Sequence, residues 1–174
     1  MIEVVLENRS GLRLGFWIVV LSSCMIYASM AGQVEAKPVV FTYGEDTSIC
    51  GGYISADHTK VTFSNVPLTA ESDTTITQLV NITNRDSSDH SVRVFVTQED
   101  FGSELSSLRL YLVSPSGAET LVVELDDSGV VVKDDVSVII PQREEWSIKL
   151  VGHYDSGTRS SQKNEMVVIF QVKA

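Results

Sequence analysis

Between Val61 and Val96 the chain reads VTFSNVPLTAESDTTITQLVNITNRDSSDHSVRVFV, and much of it alternates apolar with polar residues. Ile76, Val80 and Ile82 fall on one side of that alternation, and Thr75, Thr77, Asn81 and Thr83 fall on the other. A period of two belongs to a β-strand with one face on a core and the other on solvent, because successive side chains point to opposite faces. From Asn84 to Ser91 the pattern stops. Asp86, Ser87, Ser88 and Asp89 have short polar side chains that compete for backbone hydrogen bonds and favour loops. Val92, Val94 and Val96 then resume the alternation, so the stretch is expected to form a β-hairpin.

The rest of the chain repeats this grammar. Val39, Val40, Phe41 and Tyr43 make a short strand after Pro38, broken by Gly44-Glu45-Asp46. Leu108, Leu110 and Leu112 alternate before Ser114-Pro115-Ser116-Gly117, a turn with proline second and glycine fourth. Leu121, Val123 and Leu125 come next, then the turn Asp126-Asp127-Ser128-Gly129, then Val130 to Val132. Val136, Val138 and Ile140 end at Pro141, which supplies no ladder donor. Trp146, Ile148 and Leu150 make the next alternation and Met166, Val168, Phe170 and Val172 the last, with a polar connection from Gly152 to Asn164 between them. Phe101, Leu105 and Leu108 have helical spacing, which predicts one or two helical turns over Gln98 to Leu108. Short strands at intervals of roughly 8 to 15 residues predict an all-β fold, an antiparallel β-sandwich of jelly-roll or Greek-key type. A chain of 174 residues suits one such domain.

Ahead of the strands, Arg9 and Arg13 precede an uncharged apolar run from Leu14 to Ala31, which reads as a signal helix. Small residues place a cut after Ala31 or after Ala36, so residues 1–36 are a signal peptide and 37–174 the exported domain. The run is also about 18 residues long, enough for a retained membrane anchor. Leu21-Ser22-Ser23-Cys24 resembles a lipobox, although Met25-Ile26-Tyr27 stays apolar where a lipoprotein turns polar. A cut after Ala36 removes Cys24 and leaves Cys50 as a lone thiol without a disulfide partner.

A net charge of −10 repels phosphate backbones, which excludes nucleic acid as a natural partner. His58, His90 and His153 lie in polar stretches without HExxH or other ligand spacing, and each reads as a solvated loop residue. No serine sits in GxSxG or SxxK. The reading is therefore of a non-enzyme with no catalytic, cofactor or metal residues. Asp126, Asp127, Asp134 and Asp135 bracket one short hairpin and could gather around calcium, although aspartate is common in turns and no EF-hand pattern is present. Asn81-Ile82-Thr83 is an N-glycosylation sequon on the polar side of its strand.

The order of motifs resembles the TasA and camelysin family of exported β-sandwich proteins, together with the related archaeal bundling pilins. The features that carry it are the leader, the short strand at Val39, the segment Val61-Thr62-Phe63-Ser64-Asn65-Val66-Pro67-Leu68 leading into Ile76 to Asn84, and a closing hairpin built from Ile140 to Leu150 and the final strand. Camelysin is classed with metalloproteases, but this sequence has no zinc motif to carry that activity. The resemblance implies a structural subunit of an extracellular filament, pilus or biofilm-matrix fibre at the cell surface. A cut near Ala36 frees Lys37 to Tyr43 as a strand that could enter a neighbouring subunit, with Val39, Val40, Phe41 and Tyr43 as the polymerisation strand and Val39, Phe41 and Tyr43 filling the core. The expected partner is then the protein itself, head to tail, with neighbouring filaments or surface proteins beside it and a membrane only through an uncleaved leader. A surface-anchored or secreted sandwich that binds a ligand or partner is the other reading, and the strand could equally pair within its own subunit.

Overall fold

The computed structural model describes residues 37–70, 72–100, 105–127, 129–155 and 165–173. Residues 1–36, and with them the signal, anchor and lipobox expectations, lie outside that set. Strand β1 spans Val39–Thr42, β2 Gly52–Ile54, β3 Lys60–Phe63, β4 Thr74–Asn84, β5 His90–Asp100 and β6 Leu105–Val113. After them come β7 Glu119–Leu125, β8 Val131–Lys133, β9 Ser137–Ile140, β10 Glu145–Tyr154 and β11 Glu165–Lys173. Among the described residues there is no helix.

The strands form two antiparallel sheets, one ordered β1-β4-β10-β6-β7-β8 and the other β2-β3-β11-β5-β9. This arrangement overturns two sequence expectations. The runs flanking Asn84 to Ser91 are β4 and β5, but β4 pairs with β1 and β10 while β5 pairs with β11 and β9. The polar stretch is a corner between sheets and not a hairpin turn. The expected closing hairpin fails for the same reason, because β10 and β11 also lie in different sheets. True hairpins are β2–β3, β6–β7 and β7–β8. In the β6–β7 turn Gly117 takes a φ of +83° and donates its N–H to Ser114 O at 2.9 Å.

Asn84 explains how the β4 corner holds. It is fully buried at the last position of β4, beside the β9–β10 corner that returns the chain between the same two sheets. Its Nδ2 donates to Ser88 O at 2.9 Å and to Ile140 O and Pro141 O, each at 3.0 Å. Its Oδ1 accepts the Asp86 N–H at 3.0 Å. One amide thus satisfies backbone groups in both corners, the buried Ile140 carbonyl among them.

Alternating residues of both sheets meet in one core. Phe63, Leu79, Ile82, Leu108, Leu110, Leu112, Ile148 and Leu150 are completely buried there. Phe41 of the first sheet meets Phe170 of the second edge-on, with ring centroids 4.9 Å apart, a favoured aromatic geometry. Register shifts mark irregular points in several ladders. One of them removes the expected helix: β5 runs to Asp100 and β6 begins at Leu105, with the partner of Leu105 and that of Ser107 adjacent on β10. Ser106 is therefore an extra residue, and Leu105 and Leu108 face the core three positions apart without any helix. Phe101 lies outside the described residues.

Candidate functional site

The segment that the sequence singles out as a polymerisation strand supplies β1, at one edge of the larger sheet. β1 is an edge strand that pairs only with β4, in the register Val39 to Asn84, Val40 to Thr83, Phe41 to Ile82 and Thr42 to Asn81. Val39 and Phe41 enter the core, as the alternation predicts, and Val40 is buried too. Tyr43 does not fill the core. It is 61% exposed, because the strand has already ended at Thr42.

The turn after Tyr43 is anchored firmly. Asp46 N–H donates to Gln78 O at 3.1 Å, and Gln78 N–H returns a bond to Asp46 Oδ2 at 3.1 Å. The buried Thr47 hydroxyl donates to Leu79 O at 2.7 Å and accepts the Gly44 N–H at 2.8 Å. These bonds are possible because the β4–β10 ladder is irregular between Ile148 and Leu150, which leaves the backbone at Gln78 and Leu79 available. Gly44 lies so close to β4 that a Cβ there would stand 2.2 Å from Gln78 O. β1 is thus joined to a fixed turn through one exposed residue.

On its outer side β1 is covered by the tip of the β2–β3 hairpin. Phe41 N–H donates to His58 O at 2.8 Å, and His58 Nδ1 lies 3.1 Å from Phe41 O. A carbonyl only accepts, so Nδ1 carries the proton in this contact. His58 reaches the strand from a turn with a φ of +57°. At the start of β1, Arg85 N–H donates to Pro38 O at 2.7 Å.

Across the outward face of the same sheet a carboxylate collects three side chains. Glu145, the first residue of β10, accepts the Thr83 hydroxyl at 2.8 Å and the Thr42 hydroxyl at 3.1 Å through Oε2, and Asn81 Nδ2 at 2.9 Å through Oε1. The Thr42 and Thr83 hydroxyl oxygens are 3.0 Å apart. Glu145 was invisible to sequence reasoning, since its partners are 62 to 103 positions away. Asn81, the sequon residue, faces outward as expected, but its amide nitrogen is engaged and its Oδ1 is buried without a hydrogen-bond partner. Beside this cluster lies an open groove of about 280 Å³, lined by Gln78, Asn81, Val113, Ser114, Pro115, Glu145 and Ser147.

His58 is an exposed loop residue, as the sequence suggests, but His90 and His153 are half-buried strand residues. His90 opens β5, and its Nε2 lies 2.9 Å from Asp86 Oδ2; that contact is the largest cause of an Asp86 carboxyl held down at about 2. His153 lies in β10, with Nδ1 2.7 Å from Asp73 Oδ1 and 3.3 Å from Ser107 Oγ. Serine and aspartate meet the same ring nitrogen, so the trio cannot relay a proton from hydroxyl through imidazole to carboxylate. Of the aspartates considered for calcium, Asp134 pairs with Arg93 at 3.0 Å and Asp126 Oδ1 accepts the Val130 N–H at 2.9 Å. Among the described residues no group of three or more His, Cys, Asp or Glu is placed to hold a metal. Cys50 is buried and unpaired, and desolvation first, then the charge of Asp46, pushes its thiol up to about 11. Such a thiol is a core residue and a poor nucleophile. No family model matches the chain, and no curated protein matches it.

Proposed function

We propose that the chain is an exported, non-enzymatic structural subunit that polymerises head to tail, each copy giving its N-terminal strand to the sheet of the next, in the manner of the TasA and camelysin family. The observation that carries this reading is the placement of β1. It is a short edge strand and the first in the described chain order, its two inward side chains complete the core, and a single exposed residue joins it to an anchored turn. The contacts that β1 makes with its own β4 can be made equally by the same strand of a second copy, which is the logic of domain exchange. Donor and acceptor are different surfaces, so a succession of copies that neither swaps strands reciprocally nor closes into a ring grows as a fibre. The jelly-roll reading of the fold belongs to the same proposal. It is supported by nested pairs β3–β11, β4–β10, β5–β9 and β6–β7, which roll one long antiparallel ribbon into two sheets.

The test is the double variant Val39→Asp with Phe41→Asp. Burying each of these side chains stabilises by roughly 1.5 to 3 kcal/mol, and buried carboxylates add a further cost, so the variant strand should not dock in any copy. Electron microscopy of surface-sheared protein should show fibres for the wild type and none for the variant. Normal fibres from the variant would overturn the proposal.

A second reading, a surface module that binds a ligand, is favoured by the groove beside Glu145, where amides, hydroxyls and a carboxylate converge on one outward face. Chemical-shift perturbation of Gln78 and Asn81 by neutral polyols would support it, and unchanged shifts would dismiss it.

A further inference from the structure

Exchange of β1 between copies needs more than an apolar slot. Val, Val and Phe are accepted by many cores, and a strand that slips by two residues presents the same face again. Three hydrophobic residues therefore supply affinity without fixing a register.

The fourth residue of β1 supplies what the others lack. Thr42 is the strand's one residue with a side-chain hydrogen-bonding group, and it meets Glu145 Oε2 at 3.1 Å and Thr83 Oγ1 at 3.0 Å on the face opposite Phe41. The protons can be assigned. The Thr83 hydroxyl, at 2.8 Å, donates to Glu145 Oε2, and the Thr42 hydroxyl has only that carboxylate oxygen or Thr83 Oγ1 as acceptors in the cluster. Asn81 Nδ2 holds the other carboxylate oxygen at 2.9 Å, so the acceptor is fixed in place before any strand arrives. Asn81, Thr83 and Glu145 all belong to β4 and β10, which stay together when β1 leaves. A strand displaced by two residues in one direction brings Val40 to the position of Thr42, where a methyl group would stand in front of a carboxylate and gain no hydrogen bond.

We infer that Glu145, held by Asn81 and Thr83, selects and registers the strand that the edge of β4 accepts. The partner it fits is an extended segment with apolar residues at its first and third positions and a β-hydroxyl at its fourth. A second copy of this chain provides that segment as Val39-Val40-Phe41-Thr42. The inference rests on the proposed strand exchange, but the contact between Thr42 and Glu145 can be measured without it.

Two measurements on the full chain separate the two ideas. The first is a double-mutant cycle of Thr42→Val and Glu145→Ala by equilibrium unfolding in urea. In the wild-type background T42V should lower the folding constant about fivefold, the effect of one modest hydrogen bond, and in the E145A background by less than about twofold. Equal effects in both backgrounds overturn the selection role. The second is capture of a fluorescent synthetic peptide of residues 37–43 and of its Thr42→Val form. Wild-type chain should take the native peptide about fivefold more tightly, and E145A chain should take the two alike. Equal capture by wild type also overturns the role of Glu145. A coupled cycle with neither peptide captured would instead refute strand exchange, leaving Glu145 as a lock on the strand's own chain.

Discussion

Replacing Asn84 by alanine tests whether the two corners between sheets are held as one unit. The side chain is completely buried and bonds to three carbonyls and one N–H spread over Asp86, Ser88, Ile140 and Pro141. Nδ2 has only two protons, so its three contacts are worth about two full hydrogen bonds, and Oδ1 adds one more. At roughly 0.5 to 1.5 kcal/mol for each bond, with a further cost for buried carbonyls left without a donor, Asn84→Ala should lose about 3 kcal/mol. That is a large share of the roughly 5 to 15 kcal/mol typical of a domain. Urea unfolding should show a lower midpoint with an unchanged slope, the sign of lost stability without a changed unfolded state. Asn84→Asp sharpens the test. It keeps the acceptor for Asp86 N–H but turns a carboxylate toward three carbonyls, so at pH 7 it should be at least as damaging as alanine. A loss under about 1 kcal/mol for alanine, or a milder effect for aspartate, would show that the corners do not depend on this amide.

Three further outcomes rest on single features. The Asp86 carboxyl is depressed to about 2 by His90, Ser87 and Ser88; a depressed acid stabilises above its unfolded value and loses that contribution as pH falls through its folded one, so Asp86→Asn should flatten the fall in stability between about pH 4 and pH 2. An acid limb identical to wild type would refute the coupling. Cys50 should resist alkylation at pH 8 in the native chain and react fully in urea, as read by peptide mass mapping, because its buried thiol is raised to about 11. Native modification of Cys50 would contradict its burial. Gly44→Ala should destabilise by about 1 to 3 kcal/mol, since the added Cβ meets Gln78 O at 2.2 Å. Gly117→Ala, with a φ of +83° but nothing within 4 Å, should cost less, and a reversed order in thermal melts would refute the close approach.

Strand positions were legible because alternation is a local property of the backbone. β4, β7, β9 and β10 lie close to where their valines, leucines and isoleucines place them. Partners were not legible. A polar connection such as Arg85 to Asp89 has the length of a hairpin loop and the composition of an inter-sheet corner, and only the buried Asn84, bonded to Ile140 and Pro141 far along the chain, separates the two. The false helix over Gln98 to Leu108 has a similar origin. Ser106, inserted opposite β10, shifts the parity of the strand, so that Leu105 and Leu108 reach one face at a spacing normally diagnostic of a helix. His90 and His153 were misplaced because polar neighbours hide a strand whose outward face carries charge, as around His153.

At the candidate site the two faces of β1 were unequally readable, and the difference has a physical cause. Val39 and Phe41 announce themselves by alternation because a core accepts almost any apolar residue of about the right size. Tyr43 continues that pattern in the sequence, but the approach of Gly44 to Gln78 ends the strand one residue earlier. On the outward face Thr42, Thr83 and Asn81 look like ordinary solvent-facing residues of a strand, and Glu145 like an ordinary charge at a strand start. Their meaning appears only when β4 is laid between β1 and β10, which brings a carboxylate within reach of both hydroxyls. Apolar side chains on the inner face can hold the strand in more than one register, whereas the hydroxyl on the outer face has a fixed partner in only one. On the proposed selection by Glu145, Val39, Val40 and Phe41 supply affinity and Thr42 supplies register, so the residue that sequence pattern could not single out decides where the apolar ones sit.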